Sequence, residues 1–225
     1  MPLFQLFALG GIVIWPLLGF SLLVTALIIE RGLFWFRLVN RQDKLVSQVL
    51  EAFPHNLQLA VTSLKQNVDL PIARIFLSAL SLQQATPEDF KLALETAAQA
   101  ELPLLQRFST VFETVIGVAP LLGLLGTILG LIDAFASLKL GDLGGEDSIG
   151  VTLGIGQALI STAMGLIVAI FTLLFANLFQ GLYRRQRAFI QESGGRLEIL
   201  QRRFFRQQIP GPHDWQTPRD RYLAP

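Results

Sequence analysis

Residues 114–132, TVIGVAPLLGLLGTILGLI, and residues 148–183, SIGVTLGIGQALISTAMGLIVAIFTLLFANLFQGLY, decide how this chain is read. Neither run contains a charged side chain, and a short acidic connector separates them. A helix needs about 20 apolar residues to cross a bilayer core, so either run is long enough. Together they predict an apolar helical hairpin.

The small residues of the hairpin fall in stripes. Ala119, Gly123, Gly126, Gly130, Ala134 and Ser137 recur at intervals of three and four on the first helix. Gly154, Ala158, Ser161, Gly165, Ala169, Thr172 and Ala176 do the same on the second. That period places each set on one helical face. Lipid is as apolar as leucine, so membrane helices associate by close backbone approach, which small residues allow. Both helices are therefore expected to pack against protein, with Gly123, Gly126, Gly130, Gly154, Ala158, Ser161, Gly165 and Ala169 as the packing positions.

Polar side chains interrupt the apolar runs at Thr127, Gln157 and Thr162, and Asp133 closes the first. Such groups at membrane depth mark an ion pathway or a helix contact. Counted from the connector near Asp142, Thr127 and Gln157 are equally distant, and Thr162 lies about 7 Å deeper at about 1.5 Å per residue. Two readings of the hydroxyls stand side by side. They form polar layers in a pore, or they bond back to carbonyls of their own helix. The second is less natural for Gln157, whose amide is costlier to bury unpaired.

The runs Ala119–Gly130, APLLGLLGTILG, and Gly154–Ile170, GIGQALISTAMGLIVAI, resemble the two signature blocks of the MotA/TolQ/ExbB proton channel family, in the right order and spacing. Within it the chain looks most similar to ExbB, then to TolQ. The resemblance covers nearly all of the chain except the tail beyond about residue 208. It implies an all-α membrane protein with three transmembrane helices, long helices reaching into the cytoplasm, and assembly as a pentameric homo-oligomeric ring. It further implies that the second and third helices surround single-span partners of the ExbD or TolR type, that protons flow between them, and that a TonB-type energy transducer lies downstream. The family's polar threonines map onto Thr127 and Thr162. Many relatives carry Glu where this chain has Gln157, and an amide cannot take up and release a proton at physiological pH. The resemblance therefore puts the proton-carrying acid mainly on the partner helix, leaving Thr127, Gln157, Thr162 and Asp133 as the candidate pathway of this subunit.

Composition points the same way. Hydrophobic residues make up 52% and charged residues 16%, the latter well below the roughly 25% of soluble domains. The formal charge of +1 hides an asymmetry. Eight Lys and Arg lie between Arg31 and Arg107 and nine between Arg184 and Arg221, with Lys139 alone in the connector. The positive-inside rule makes the first two regions cytoplasmic. The expected order is a first transmembrane helix over 1–29, a cytoplasmic helical segment over 30–113, a second transmembrane helix over 114–136, a short periplasmic connector over 137–147, a third transmembrane helix over 148–183, and a basic cytoplasmic tail over 184–225. The protein is then a multi-pass protein of the bacterial inner membrane with its N-terminus periplasmic and its C-terminus cytoplasmic.

Within this order, Pro16 is expected to kink the first helix or loosen its hydrogen bonds, and Trp35 to sit in an aromatic belt. Asn56, Pro71 and Thr86-Pro87-Glu88-Asp89 read as helix starts, with a bend at Pro103 before the membrane. The third run, about 54 Å long if helical, overshoots a core of about 30 Å and is expected to stop at Gly194-Gly195. The basic block 196–206 reads as positive-inside charge packed on the cytoplasmic helices, with lipid-surface contact or partner binding as the competing readings, and the tail from Pro210 as disordered.

The only histidines are His55 and His213, and cysteine is absent. No metal, cofactor or catalytic set is expected, and the lipid bilayer and protons, not nucleic acid, are the expected surroundings. Three functions compete. The first is a motor subunit energising TonB-dependent outer-membrane transport. The second is a TolQ-like subunit for envelope integrity and division, and the third an oligomeric scaffold or passive channel.

Overall fold

The computed structural model describes residues 11–82, 85–137 and 145–208. The connector's Asp142, the Pro210 tail with His213, and the first ten residues of the first hydrophobic run lie outside these. The described residues form six α-helices: α1 (Ile14–Ala52), α2 (Leu57–Lys65), α3 (Pro71–Leu80), α4 (Pro87–Leu105), α5 (Ser109–Ala136) and α6 (Gly145–Gln208). Ile14–Ala52, Pro87–Ala136 and Gly150–Arg206 each hold a stretch long and apolar enough to cross a membrane. The chain divides into two compact units, residues 1–36 with 106–184, and residues 37–105 with 185–225.

The first unit packs the start of α1 against α5 and the first part of α6. Its core joins Val13, Leu17 and Val24 to Phe112, Val115 and Ala119, and to Val168 and Ala169. Phe112 and Phe179 close it, with ring centroids 5.8 Å apart. Large side chains on the opposite faces stay exposed, among them Leu121, Ile128 and Phe135 on α5 and Leu159, Ile167 and Leu174 on α6. An apolar outer surface of this kind is stable against lipid or further protein.

Pro16 does not kink this helix. It stands in the first turn of α1, where its backbone nitrogen would have no intrahelical acceptor in any case. Trp35 is buried at 3% exposure rather than displayed in a belt, edge-on to Phe34 at 5.8 Å. Arg31, one turn earlier, is equally buried and lies between the rings of Phe34 and Phe108, 5.2 and 5.1 Å from their centroids. Stacking on aromatic faces suits a guanidinium, which is only weakly hydrated.

In the second unit the short helices start where capping chemistry predicts. Asn56 Oδ1 accepts the Leu59 N–H at 3.0 Å, and Pro71 opens α3. Thr86 and Asp89 form a reciprocal capping pair, with the Asp89 N–H donating to Thr86 Oγ1 at 3.1 Å and the Thr86 N–H to Asp89 Oδ2 at 3.3 Å. Ile72, Ala73, Ile75, Phe76 and Ala79 bury one face of α3. Arg74 joins α3 to α4 by donating twice to Glu101, at 2.6 and 2.5 Å. That hydrogen bonding holds the Arg74 guanidinium above its ordinary pKa, against the opposing effect of burial. The buried Gln186 amide of α6 donates to Gln42 Oε1 of α1 at 2.6 Å.

Two expected breaks fall elsewhere. α4 runs through Pro103 to Leu105, and the interruption comes at Phe108, which takes a left-handed φ of 71° just before α5. Gly194 and Gly195 do not stop α6, which continues to Gln208. Each glycine costs a helix about 1 kcal/mol relative to alanine. Burial of Ile190, Ser193 and Leu197 on one face, and the ion pairs Arg196–Glu192 and Arg202–Glu198 at 2.6 and 2.9 Å, offset that cost.

Candidate functional site

The two small-residue stripes meet. α5 and α6 run antiparallel, and their glycines lie where a Cβ would strike the other helix. On Gly165 it would stand 2.5 Å from the Ala119 carbonyl oxygen and 3.0 Å from Gly123 Cα. On Gly130 it would be 2.9 Å from both Ala158 N and the Gly154 carbonyl oxygen. On Gly126 it would overlap the Ser161 side chain. Gly123, Gly126, Gly130 and Gly154, with Ala158, Ser161, Gly165 and Ala169, thus line or adjoin one seam of near backbone contact.

The polar residues occupy the flanks of this seam, and not the same flank. Residues in a helix are about 100° apart, so Gln157 and Thr162, five apart, point about 140° away from each other. Thr127 and Asp133, six apart, diverge by about 120°. On one flank Thr162 Oγ1 donates across the seam to the Gly123 carbonyl at 3.1 Å, whereas Thr127 Oγ1 turns back to Leu124 of its own helix at 2.5 Å. Thr127 thus makes a bond within its own helix, whereas Thr162 links the two helices and fits neither reading of the hydroxyls as given by the sequence. Ser161, fully buried between them, donates to the Gln157 carbonyl at 2.8 Å.

On the other flank Gln157 and Asp133 line a cavity of about 230 Å³ together with Ile12, Val13, Gly126 and Leu129. Gly11 closes the arrangement. It adopts φ +68°, and a Cβ there would overlap Gln157 Nε2. Reasoning on the sequence missed Gly11, although a Gly-Gly pair inside an apolar run was a visible signal. Among the described residues no group of three or more His, Cys, Asp or Glu is placed to hold a metal ion.

Comparison with known sequences places this hairpin in a family. The profile of the MotA/TolQ/ExbB proton channel family matches residues 67–192, more than half of the chain. The chain belongs to this family. A Synechocystis protein with the provisional name biopolymer transport protein ExbB-like 3 is 60% identical over 195 residues, covering 87% of this chain and 93% of its own length. ExbB-like 1 of the same organism, also provisionally named, is 41% identical over 199 residues, covering 87% and 78%. The biopolymer transport protein ExbB of Xanthomonas campestris is 40% identical over 87 residues, 39% of this chain and 34% of its own. Within the MotA/TolQ/ExbB family the chain is therefore ExbB-like. It is a multi-pass membrane protein of a proton-channel and transport family, and all its described secondary structure is helical. The family match spans α3 to most of α6, so it includes the seam and Thr127, Asp133, Gln157 and Thr162.

Proposed function

We propose that this protein is the ring-forming subunit of an inner-membrane motor. Five copies enclose the single transmembrane helices of an ExbD-type partner, and proton flow between ring and partner supplies mechanical energy to a TonB-type transducer for outer-membrane transport. Residues 1–29, 114–136 and 148–183 cross the membrane, 30–113 and 184–225 are cytoplasmic, and the N-terminus and the 137–147 connector are periplasmic. The ExbB names of the relatives favour this client over a TolQ-like role in envelope integrity.

The observation that carries the reading is the seam. Glycine packing fixes α5 and α6 as one rigid wall, and the Thr162–Gly123 bond lies on its flank. A wall of this kind can transmit force, because relative motion of the two helices would need the close backbone contacts to separate. Thr127 and Thr162 on one flank, and Gln157 and Asp133 on the other, are the groups by which protons and the partner would meet it. Gln157 cannot carry a proton, so at its position it orients water or a partner carboxyl. The test is native mass spectrometry of the complex purified after co-expression with a single-span ExbD-type protein. A pentamer retaining the partner is expected. A homogeneous ring that never retains it would overturn the motor in favour of a scaffold or channel.

A further inference from the structure

α6 carries its buried stripe past the helices that cover it. Leu197 is fully buried, but Phe204, two turns further on the same face, is exposed. Gln201, Phe204 and Phe205 line a cavity of about 340 Å³ with Phe53 just after α1, Leu57 at the start of α2 and Phe90 of α4. Phe53 and Phe204 meet edge-on in its wall, with ring centroids 6.4 Å apart. Gln201 Oε1 is buried with no hydrogen-bond partner among the described residues. A buried carbonyl oxygen is costly to leave unpaired, so the cavity lacks a donor as well as a cover.

We propose that the chain's own C-terminal segment, residues 209–225, turns back along α6 and seats Trp215 in this cavity, with the indole N–H donating to Gln201 Oε1.

The length of chain beyond α6 fits. Pro210-Gly211-Pro212 follows the end of α6 at Gln208, cannot continue the helix and holds a turn dipeptide. From Gly211 to Trp215, four extended steps of about 3.3 Å cover about 13 Å, the rise of about nine residues of α6. Counted back from the turn, Trp215 therefore comes level with Gln201. The chemistry fits too. An indole is large and donor-only, and its N–H finds an acceptor when it is buried. Aromatic walls with one unused acceptor match it. Lipid is not the cover, because the apolar run of α6 ends at Tyr183, about 30 Å of helix before Phe204. Proline, glycine and mixed charge keep such a segment from folding alone, and a preformed apolar pocket supplies the burial it lacks. Seated, Trp215 pins the end of α6 to the α1–α2 turn and to α4.

The test needs neither a ring nor a partner. With Trp15→Phe and Trp35→Phe, the full chain keeps Trp215 as its one tryptophan, and acrylamide quenching of its emission is measured in detergent micelles at wild-type helicity. Quenching several-fold weaker than for a peptide of residues 209–225 in the same micelles is expected. Phe204→Glu, which spoils the exposed rim, and Gln201→Leu, which removes the acceptor, should each bring it back toward the peptide value. Disulfide trapping with all three tryptophans in place identifies the occupant, since the chain has no cysteine of its own. Leu57→Cys with Gln216→Cys should form an intrachain disulfide several-fold faster than Arg203→Cys with Gln216→Cys, whose first cysteine lies on another face of α6. Interchain dimers in its place would overturn the proposal in favour of a second copy's tail. Quenching equal to that of the peptide, or protection that either Phe204→Glu or Gln201→Leu leaves unchanged, would overturn it in favour of another occupant.

Discussion

Adding one methyl group at Gly165 should separate the hairpin, and the same change at Gly156 should not. At Gly165 the new Cβ would stand 2.5 Å from a backbone carbonyl oxygen and 3.0 Å from a backbone Cα, whereas at Gly156 nothing lies within 4 Å. Ordinary contact begins near 3.4 Å, so α5 and α6 must part by about 1 Å, and no rotamer change can help because both obstacles are main chain. Overpacking of this kind costs about 1–3 kcal/mol. The shift also stretches the Thr162–Gly123 bond from 3.1 Å, and interhelical hydrogen bonds in membranes average about 0.6 kcal/mol. Gly165→Ala should therefore lose about 2–3 kcal/mol, against a helix-propensity gain of up to about 1 kcal/mol that Gly156→Ala enjoys unopposed. The assay is reversible unfolding in mixed micelles by increasing the denaturing detergent fraction, read by far-UV circular dichroism. If Gly165→Ala unfolds with wild type, or Gly156→Ala falls as far as Gly165→Ala, the seam does not hold the hairpin together.

Further expectations follow from other contacts. Gly165→Leu and Gly126→Leu should abolish the ring seen by native mass spectrometry. Thr162→Ala should retain it while lowering partner-dependent proton flux several-fold, with Thr162→Ser restoring flux; normal flux in Thr162→Ala would remove that hydroxyl from the pathway. Glu101→Gln should lower the thermal stability of the second unit by about 1–2 kcal/mol. That is less than for a fully buried pair, because the Arg74 side chain is 34% exposed. Gly194→Ala with Gly195→Ala should raise the unfolding free energy by about 1–2 kcal/mol in total, read as a higher melting temperature, since open space surrounds both glycines; no gain would mean that α6 needs flexibility there.

The sequence was legible where the chemistry is local or periodic. A charge-free run, a stripe of small residues at helical spacing and a capping pair such as Thr86 with Asp89 each act over a few residues, so the pattern alone carries the helix, its packing face or its start. The family resemblance rested on the same hairpin blocks. The misjudged places were those where local preference was overridden. Gly194 and Gly195 weaken a helix in isolation, but burial of Ile190 and Leu197 beside them outweighs that preference. Pro103 signals a bend, yet α4 runs on to Leu105, and the left-handed residue that separates it from α5 is Phe108.

The sequence by itself determined that the chain is helical, carries membrane-crossing lengths and closes a hairpin through glycine, because these depend on hydrophobicity and on the 3.6-residue period. Only the tertiary structure decided on which flank each polar residue falls. Counting along the chain places Thr127 and Gln157 at similar depth, but angle around the helix and the position of α1 separate them. Thr162 reaches the Gly123 carbonyl, while Gln157 lies against Gly11 and lines a cavity with Asp133, residues 146 and 24 positions away along the chain. Pairings at such separations depend on how the helices dock, which no local pattern encodes.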